Sequence, residues 1–165
     1  MRPDGLRVAI VDGLGHGSDA EAAALAAIDS LKDAPDLEPL EALQRCDLAL
    51  RGTRGAAASV LVIDRSRGVL RFAGVGNVEG RIHSDDRERH FSPNRGILGR
   101  GMRSPHLLEF PLIAPWVVLL HTDGIRGRDL EIRANLSADA RAQQILAMAA
   151  RETDDATVVV IESGS

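Results

Sequence analysis

The chain has 165 residues, 44% of them hydrophobic and 27% charged, which suits one folded domain with a core that needs no staples. A formal net charge of −4 and only three Phe, one Trp and no Tyr argue against nucleic acid, which calls for basic surface and aromatic stacking platforms. Cys46 is the single cysteine, so no disulfide forms within the chain, and its place in an apolar-periodic segment marks it as a small buried hydrophobe. No signal peptide and no bilayer-spanning apolar stretch is legible, so no membrane partner is expected and the cytoplasm is the expected location.

In chain order, Leu6–Val11 reads as a buried strand running straight into D-G-L-G-H-G at Asp12 to Gly17. Ser18-Asp19-Ala20-Glu21 has capping-box spacing, and the Ala-rich run behind it predicts a helix to about Leu31. Ala34-Pro35-Asp36 breaks that helix, and Leu37 to Leu50 repeats apolar residues at helical spacing. From Ala56 the period changes to that of strands. Ala57–Ile63 and Val69–Val75 flank a turn, Gly76-Asn77 interrupts, and Glu79–His83 resumes.

Asp85 to Arg89 reads as a charged, solvated turn, and Ser92 to Ser104, rich in Gly, Pro and Arg, as a surface loop or flap. Leu107–Leu112 and Trp116–His121 are strands, Ser137 caps a helix to about Arg151, and Ala156–Ile161 is a final strand. Helices grouped apart from mostly antiparallel strands predict an α+β chain.

Chemistry is concentrated in three aspartates at strand ends: Asp12, Asp123 in H-T-D-G-I, and Asp154 in T-D-D-A-T. Carboxylates gathered from distant positions suit hard divalent cations, which take oxygen ligands. Gly13, Gly15 and Gly17 suit a tight strand-to-helix connection. His121 alternates with apolar strand residues and reads as packed, and solvated charge is the reading for Arg126 and Arg128.

Five blocks in order, D-G-L-G-H-G, R-G-A-A-A-S-V-L from Arg54, G-V-G-N-V from Gly74, T-D-G from Thr122 and D-D-A-T from Asp154, resemble the metal-dependent protein serine/threonine phosphatases of the protein phosphatase 2C superfamily. The nearest branch in resemblance is the bacterial stage II sporulation E and stress-response group. The resemblance implies a four-layer α/β/β/α sandwich of two antiparallel sheets flanked by helices, holding two Mn²⁺ or Mg²⁺ ions. It implies that Asp12 bridges both ions, the Gly13 carbonyl ligates one, and Asp123 and Asp154 complete the other.

Asp155 is implied as a support of the ligands, Asn77 as part of a bulge or turn that shapes the site or as a support of ligand or phosphate, and His16 as a phosphate contact or proton donor, beside a packing or surface role. The implied reaction is in-line attack of metal-activated water on phosphoserine or phosphothreonine. The implied substrate is a phosphorylated anti-anti-sigma-type regulator of a partner-switching pathway. The family's first acidic ligand lies on a strand well over ten residues upstream of the Asp12 position. Here eleven residues precede Asp12, and Asp4, in R-P-D-G, is too close.

The expectation is therefore a single phosphatase-like domain over residues 1–165 without its first strand. Its second metal site would be weakened, and the Asp12 strand would form an exposed sheet edge open to homodimer pairing. The runner-up reading is a catalytically impaired binding module with the same fold, or a fragment of a larger regulatory protein. An ATP box of histidine-kinase type fails on Leu14, and a Rossmann fingerprint fails on glycine spacing.

Overall fold

The structure, a computed structural model, describes residues 5–102, 105–127, 130, 136–151 and 155–164. They form two compact units.

The first unit holds β1 (Gly5–Gly13), α1 (Ser18–Lys32), α2 (Pro39–Ala49), β2 (Ala56–Asp64), β3 (Val69–Val75) and a later strand, which is β6 (Leu108–Pro111). Its sheet is antiparallel in the order β1-β2-β3-β6. Among the described residues β1 lies at the sheet edge. Ala23, Ala27 and Leu31 of α1 and Ala42, Leu43 and Cys46 of α2 bury against Ala58 and Val60 of β2 and Ala73 and Val75 of β3. Alanine on both surfaces lets helix and sheet backbones approach closely, and Leu43, fully buried, fills the gap between them. Leu43→Ala is expected to cost about 3 kcal/mol, seen as a lower urea midpoint at unchanged m-value.

The second helix begins as its sequence dictates, with Pro39 in the first turn and the Glu38 amide donating to Glu41 at 3.2 Å. The first does not. Ser18 is already the first helical residue, and Gly17, at φ +81°, is the cap with no side-chain bond. The connection from β1 needs left-handed backbone at both Gly15 and Gly17, which puts the cap at Gly17 and draws Ser18, the predicted cap, into the first turn.

Residues 92–102 are tied to the sheet instead of forming a free flap. Asn94 exchanges backbone bonds with Gly74 and Gly76, Leu98 does so with Ala56, and Leu98 is fully buried.

The second unit holds β4 (Glu79–Ser84), β5 (Arg87–Phe91), β7 (Trp116–His121), α3 (Ala138–Ala149) and β8 (Val158–Glu162). Its sheet is antiparallel in the order β5-β4-β7-β8. Ile145 and Ala149 of α3 pack with Leu119, Ile125, Val158 and Val160. Ser137 caps α3, as predicted, accepting the Ala140 amide at 3.4 Å.

The predicted charged turn at Asp85–Arg89 is corrected: β4 and β5 form a hairpin whose two-residue turn is Asp85-Asp86, both at positive φ. Arg87 and Glu88 are exposed on an edge strand and hide its strand character, while Phe91 at its end is buried over Gly80. Among the described residues no helix is long and apolar enough to cross a membrane.

Candidate active site

β1 delivers Asp12 and Gly13 to the end of the first sheet, opposite Ala57 and Ala56 of β2. Asp12 is half-buried there, and Asn77 Nδ2 donates to its Oδ2 at 3.1 Å. Asn77 comes from the break between β3 and β4, made possible by Gly76 at φ +109°. A Cβ on Gly76 would lie 2.3 Å from that of Ala57. The turn therefore presses onto β2 beside the partner of Asp12, which brings a residue 65 positions away within reach of its carboxylate. Asn77 Oδ1 is buried, with no hydrogen-bond partner among the described residues. Ser59 Oγ fixes the exit of the turn, donating to the Val78 carbonyl at 2.7 Å.

Gly13 admits no side chain. A Cβ there would stand 2.0 Å from the Ala20 carbonyl oxygen, because the first turn of α1 rests on it. Beyond it, the Leu14 amide donates to the Gly55 carbonyl at 3.0 Å, and Arg54 Nη1 donates to the His16 carbonyl at 3.4 Å. His16 and Arg54 are both exposed. The sequence reading did not single out Arg54. The one signal for it was its position at the head of the R-G-A-A-A-S-V-L block.

In the second unit Asp123 follows β7 and is exposed. Its neighbours are clamped to the start of β8. The Thr122 amide donates to the Thr157 carbonyl at 3.1 Å, and the Thr157 amide donates to Thr122 Oγ1 at 3.0 Å. A Cβ on Gly124 would meet the Asp155 carbonyl oxygen at 2.1 Å. The T-D-G block and the Asp155–Thr157 segment therefore pack backbone to backbone, with Asp155 exposed.

Asp154 and Arg128 lie outside the described residues. His121 is packed, as its alternation predicts: it is 3% exposed, with Nδ1 3.0 Å from the Thr122 carbonyl oxygen. Arg126 donates to the Met148 carbonyl at 2.7 Å and is not merely solvated. Burial pushes the Cys46 thiol up, which removes it from consideration as a nucleophile.

The structure thus assembles Asp12, Gly13, Asn77 and the His16 loop at one sheet end, and Asp123 beside the Asp155 segment at another. Among the described residues no three His, Cys, Asp or Glu side chains converge on one point.

The family profile described as stage II sporulation protein E (SpoIIE) matches residues 2–163. The chain belongs to the stage II sporulation protein E family. Within it, the phosphoserine phosphatase RsbX of Bacillus subtilis (strain 168) is 29% identical over 140 residues, covering 83% of this chain and 68% of RsbX. A crystal structure of RsbX in complex with magnesium superposes at a TM-score of 0.88, with 24% identity over 97% of this chain and 82% of that one.

The Mycobacterium tuberculosis serine/threonine phosphatase PstP/Ppp shares the fold at a TM-score of 0.74, with 16% identity over 93% of this chain and 86% of that one. The two antiparallel sheets and three helices among the described residues of this stage II sporulation E chain are the fold of the protein phosphatase 2C superfamily. Its activity class is that of a protein serine/threonine phosphatase of the stress-response branch.

Proposed function

We propose that the chain removes phosphate from phosphoserine or phosphothreonine on an anti-anti-sigma-type regulator of a bacterial partner-switching pathway, using Mn²⁺ or Mg²⁺, in the cytoplasm. The observation that carries this is the held carboxylate of Asp12. It lies at a strand end, is oriented by Asn77, and sits next to a glycine whose backbone is pressed against α1.

The donors available suit a hard cation. Asp12, the Gly13 carbonyl, Asp123 and Asp154 all offer oxygen donors, and Asn77 Oδ1 is a further buried oxygen with no partner among the described residues. The magnesium in the RsbX structure supports the same ion class. Such ions supply Lewis-acid stabilisation of phosphoryl charge and activation of the attacking water.

In this reading Asp12, the Gly13 carbonyl, Asp123 and Asp154 would hold the metal ions. Asn77 would orient Asp12, Asp155 would support the ligands at its end of the site, and His16 would hand a proton to the departing serine oxygen. The outer edge of β1, unpaired among the described residues, offers a strand-pairing surface for a second copy. The test is phosphate release from a phosphoserine-bearing regulator, with and without Mn²⁺. Release that is indifferent to a chelator would refute the proposal.

Asn77→Ala separates the orienting role from a turn-shaping one. It is expected to raise the Mn²⁺ concentration for half-maximal rate about tenfold or more, as loss of a ligand-orienting bond does elsewhere. An unchanged metal requirement would reduce Asn77 to a turn residue.

A further inference from the structure

Phosphate monoesters are recognised through their charge, most specifically by an arginine fork that is not already committed to a carboxylate. Several arginines of the first unit are committed. Arg7 donates to the Leu31 and Ala34 carbonyls, Arg45 to Ser30, and Arg71 to Glu38 through two bonds. Arg54 is different. Among the described residues its side chain makes no ion pair, and its one hydrogen bond is the 3.4 Å bond from Nη1 to the His16 carbonyl. The rest of the guanidinium edge is left for a ligand.

Its backbone is nevertheless rigidly placed. Thr53 Oγ1 donates to the Leu50 carbonyl at 2.7 Å and accepts the Gly55 amide at 3.0 Å, bracketing Arg54. Gly55, at φ +86°, has no room for a Cβ, which would lie 2.5 Å from the Leu98 carbonyl oxygen. The Gly55 carbonyl receives Leu14, so the Arg54 turn and the loop that starts at Asp12 are one braced assembly. Gly15 completes the fit: a Cβ there would come within 3.3 Å of Arg54 Nη1, so glycine lets the guanidinium lie against the loop backbone. The result is an exposed, uncommitted cation held over the loop that follows the Asp12 carboxylate.

We propose that Arg54 is a specificity residue that binds the phosphoryl oxygens of the substrate. The proposal rests on the phosphatase reading given above. Its charge and fork geometry would select a phosphorylated side chain over the dephosphorylated product and would hold the ester against the carboxylate-bearing strand end.

The experiment titrates inorganic phosphate into the full chain with Mn²⁺ present and follows binding by calorimetry. It is done for the wild type, Arg54→Ala, Arg54→Lys and the control Arg65→Ala, which removes an exposed charge from the β2–β3 turn at the opposite sheet end. The same four proteins are assayed for KM and kcat on a phosphoserine peptide, and for the melting temperature.

Arg54→Ala is expected to weaken phosphate binding and raise KM about tenfold or more, with the melting temperature and the Mn²⁺ requirement unchanged. Arg54→Lys should recover part of the loss, and Arg65→Ala should match the wild type. Phosphate affinity unchanged in Arg54→Ala would overturn the proposal and leave Arg54 as a brace for the His16 loop; so would a wild type that binds no phosphate. A wild type that binds phosphate through Arg54 yet releases none from the peptide would instead count against the phosphatase reading alone.

Discussion

Asp12→Asn is expected to lower Mn²⁺-dependent phosphate release by roughly a thousandfold, the scale of several kcal/mol of lost charge stabilisation. The fold should survive. Asp12 sits at the last turnout of an edge strand, half-buried, and its pairing opposite Ala57 is a main-chain matter. Asparagine has nearly the same shape, and its carboxamide oxygen can still accept from Asn77 Nδ2, now 3.1 Å from the Asp12 carboxylate.

The melting temperature should therefore stay within about 2 °C of the parent, as for substitutions that disturb no packing. Phosphate release, circular dichroism and metal binding by calorimetry on the pair of proteins would check this. A variant as fast as the parent would remove Asp12 from the site. A variant that fails to melt cooperatively would show that the carboxylate serves folding instead.

The second large effect is expected from Glu162→Ala, and it reads on stability. Arg141 is among the largest fully enclosed side chains, 2% exposed, and Glu162 of β8 answers it at 3.3 Å. The other Glu162 oxygen accepts the Ala138 amide at the start of α3, at 3.1 Å. One carboxylate thus neutralises a buried cation and satisfies a helix end. Removing it takes a counter-charge from a buried guanidinium, which keeps its 2.8 Å bond to the Leu136 carbonyl, at a cost of about 3 kcal/mol.

Because α3 and β8 flank the segment that clamps the T-D-G block, loss of this anchor should also loosen the setting of Asp123. Urea unfolding of Glu162→Ala checks the magnitude. Replacing both partners together, Arg141→Met with Glu162→Leu, should recover most of the loss, since a buried pair exchanged for apolar groups is often near neutral. A single variant within about 0.5 kcal/mol of the parent, the range of ordinary surface changes, would show that water reaches Arg141 and replaces the carboxylate.

Much of the secondary structure was legible because it depends on short-range pattern. The apolar runs at Ala57–Ile63 and Val69–Val75 and the strand Trp116–His121 carry their own period, and Ser137 announces α3 through a local cap. Misreadings came where a local signal was overruled or masked. The capping box at Ser18 yielded to the positive φ that the glycine connection requires. β5 went unseen because an edge strand paired along one side can carry arginine and glutamate without penalty. The loop from Ser92 reads as free by composition, yet backbone bonds and buried Leu98 bind it to the sheet.

Site residues divide along the same line. The sequence by itself determined the chemical kinds: carboxylates at strand ends, glycines where backbone must approach backbone, and a cysteine suited to the core. Those properties follow from the residue and its immediate neighbours in the chain. Only the tertiary structure decided which groups meet. Asn77 reaches Asp12 across 65 positions, Thr122 is joined to the Asp155 segment across 33, and Arg54 is aimed by a glycine 39 positions earlier, Gly15. Such meetings depend on strand order and on turns pressed against distant strands, and no one-dimensional pattern encodes the distance between two side chains.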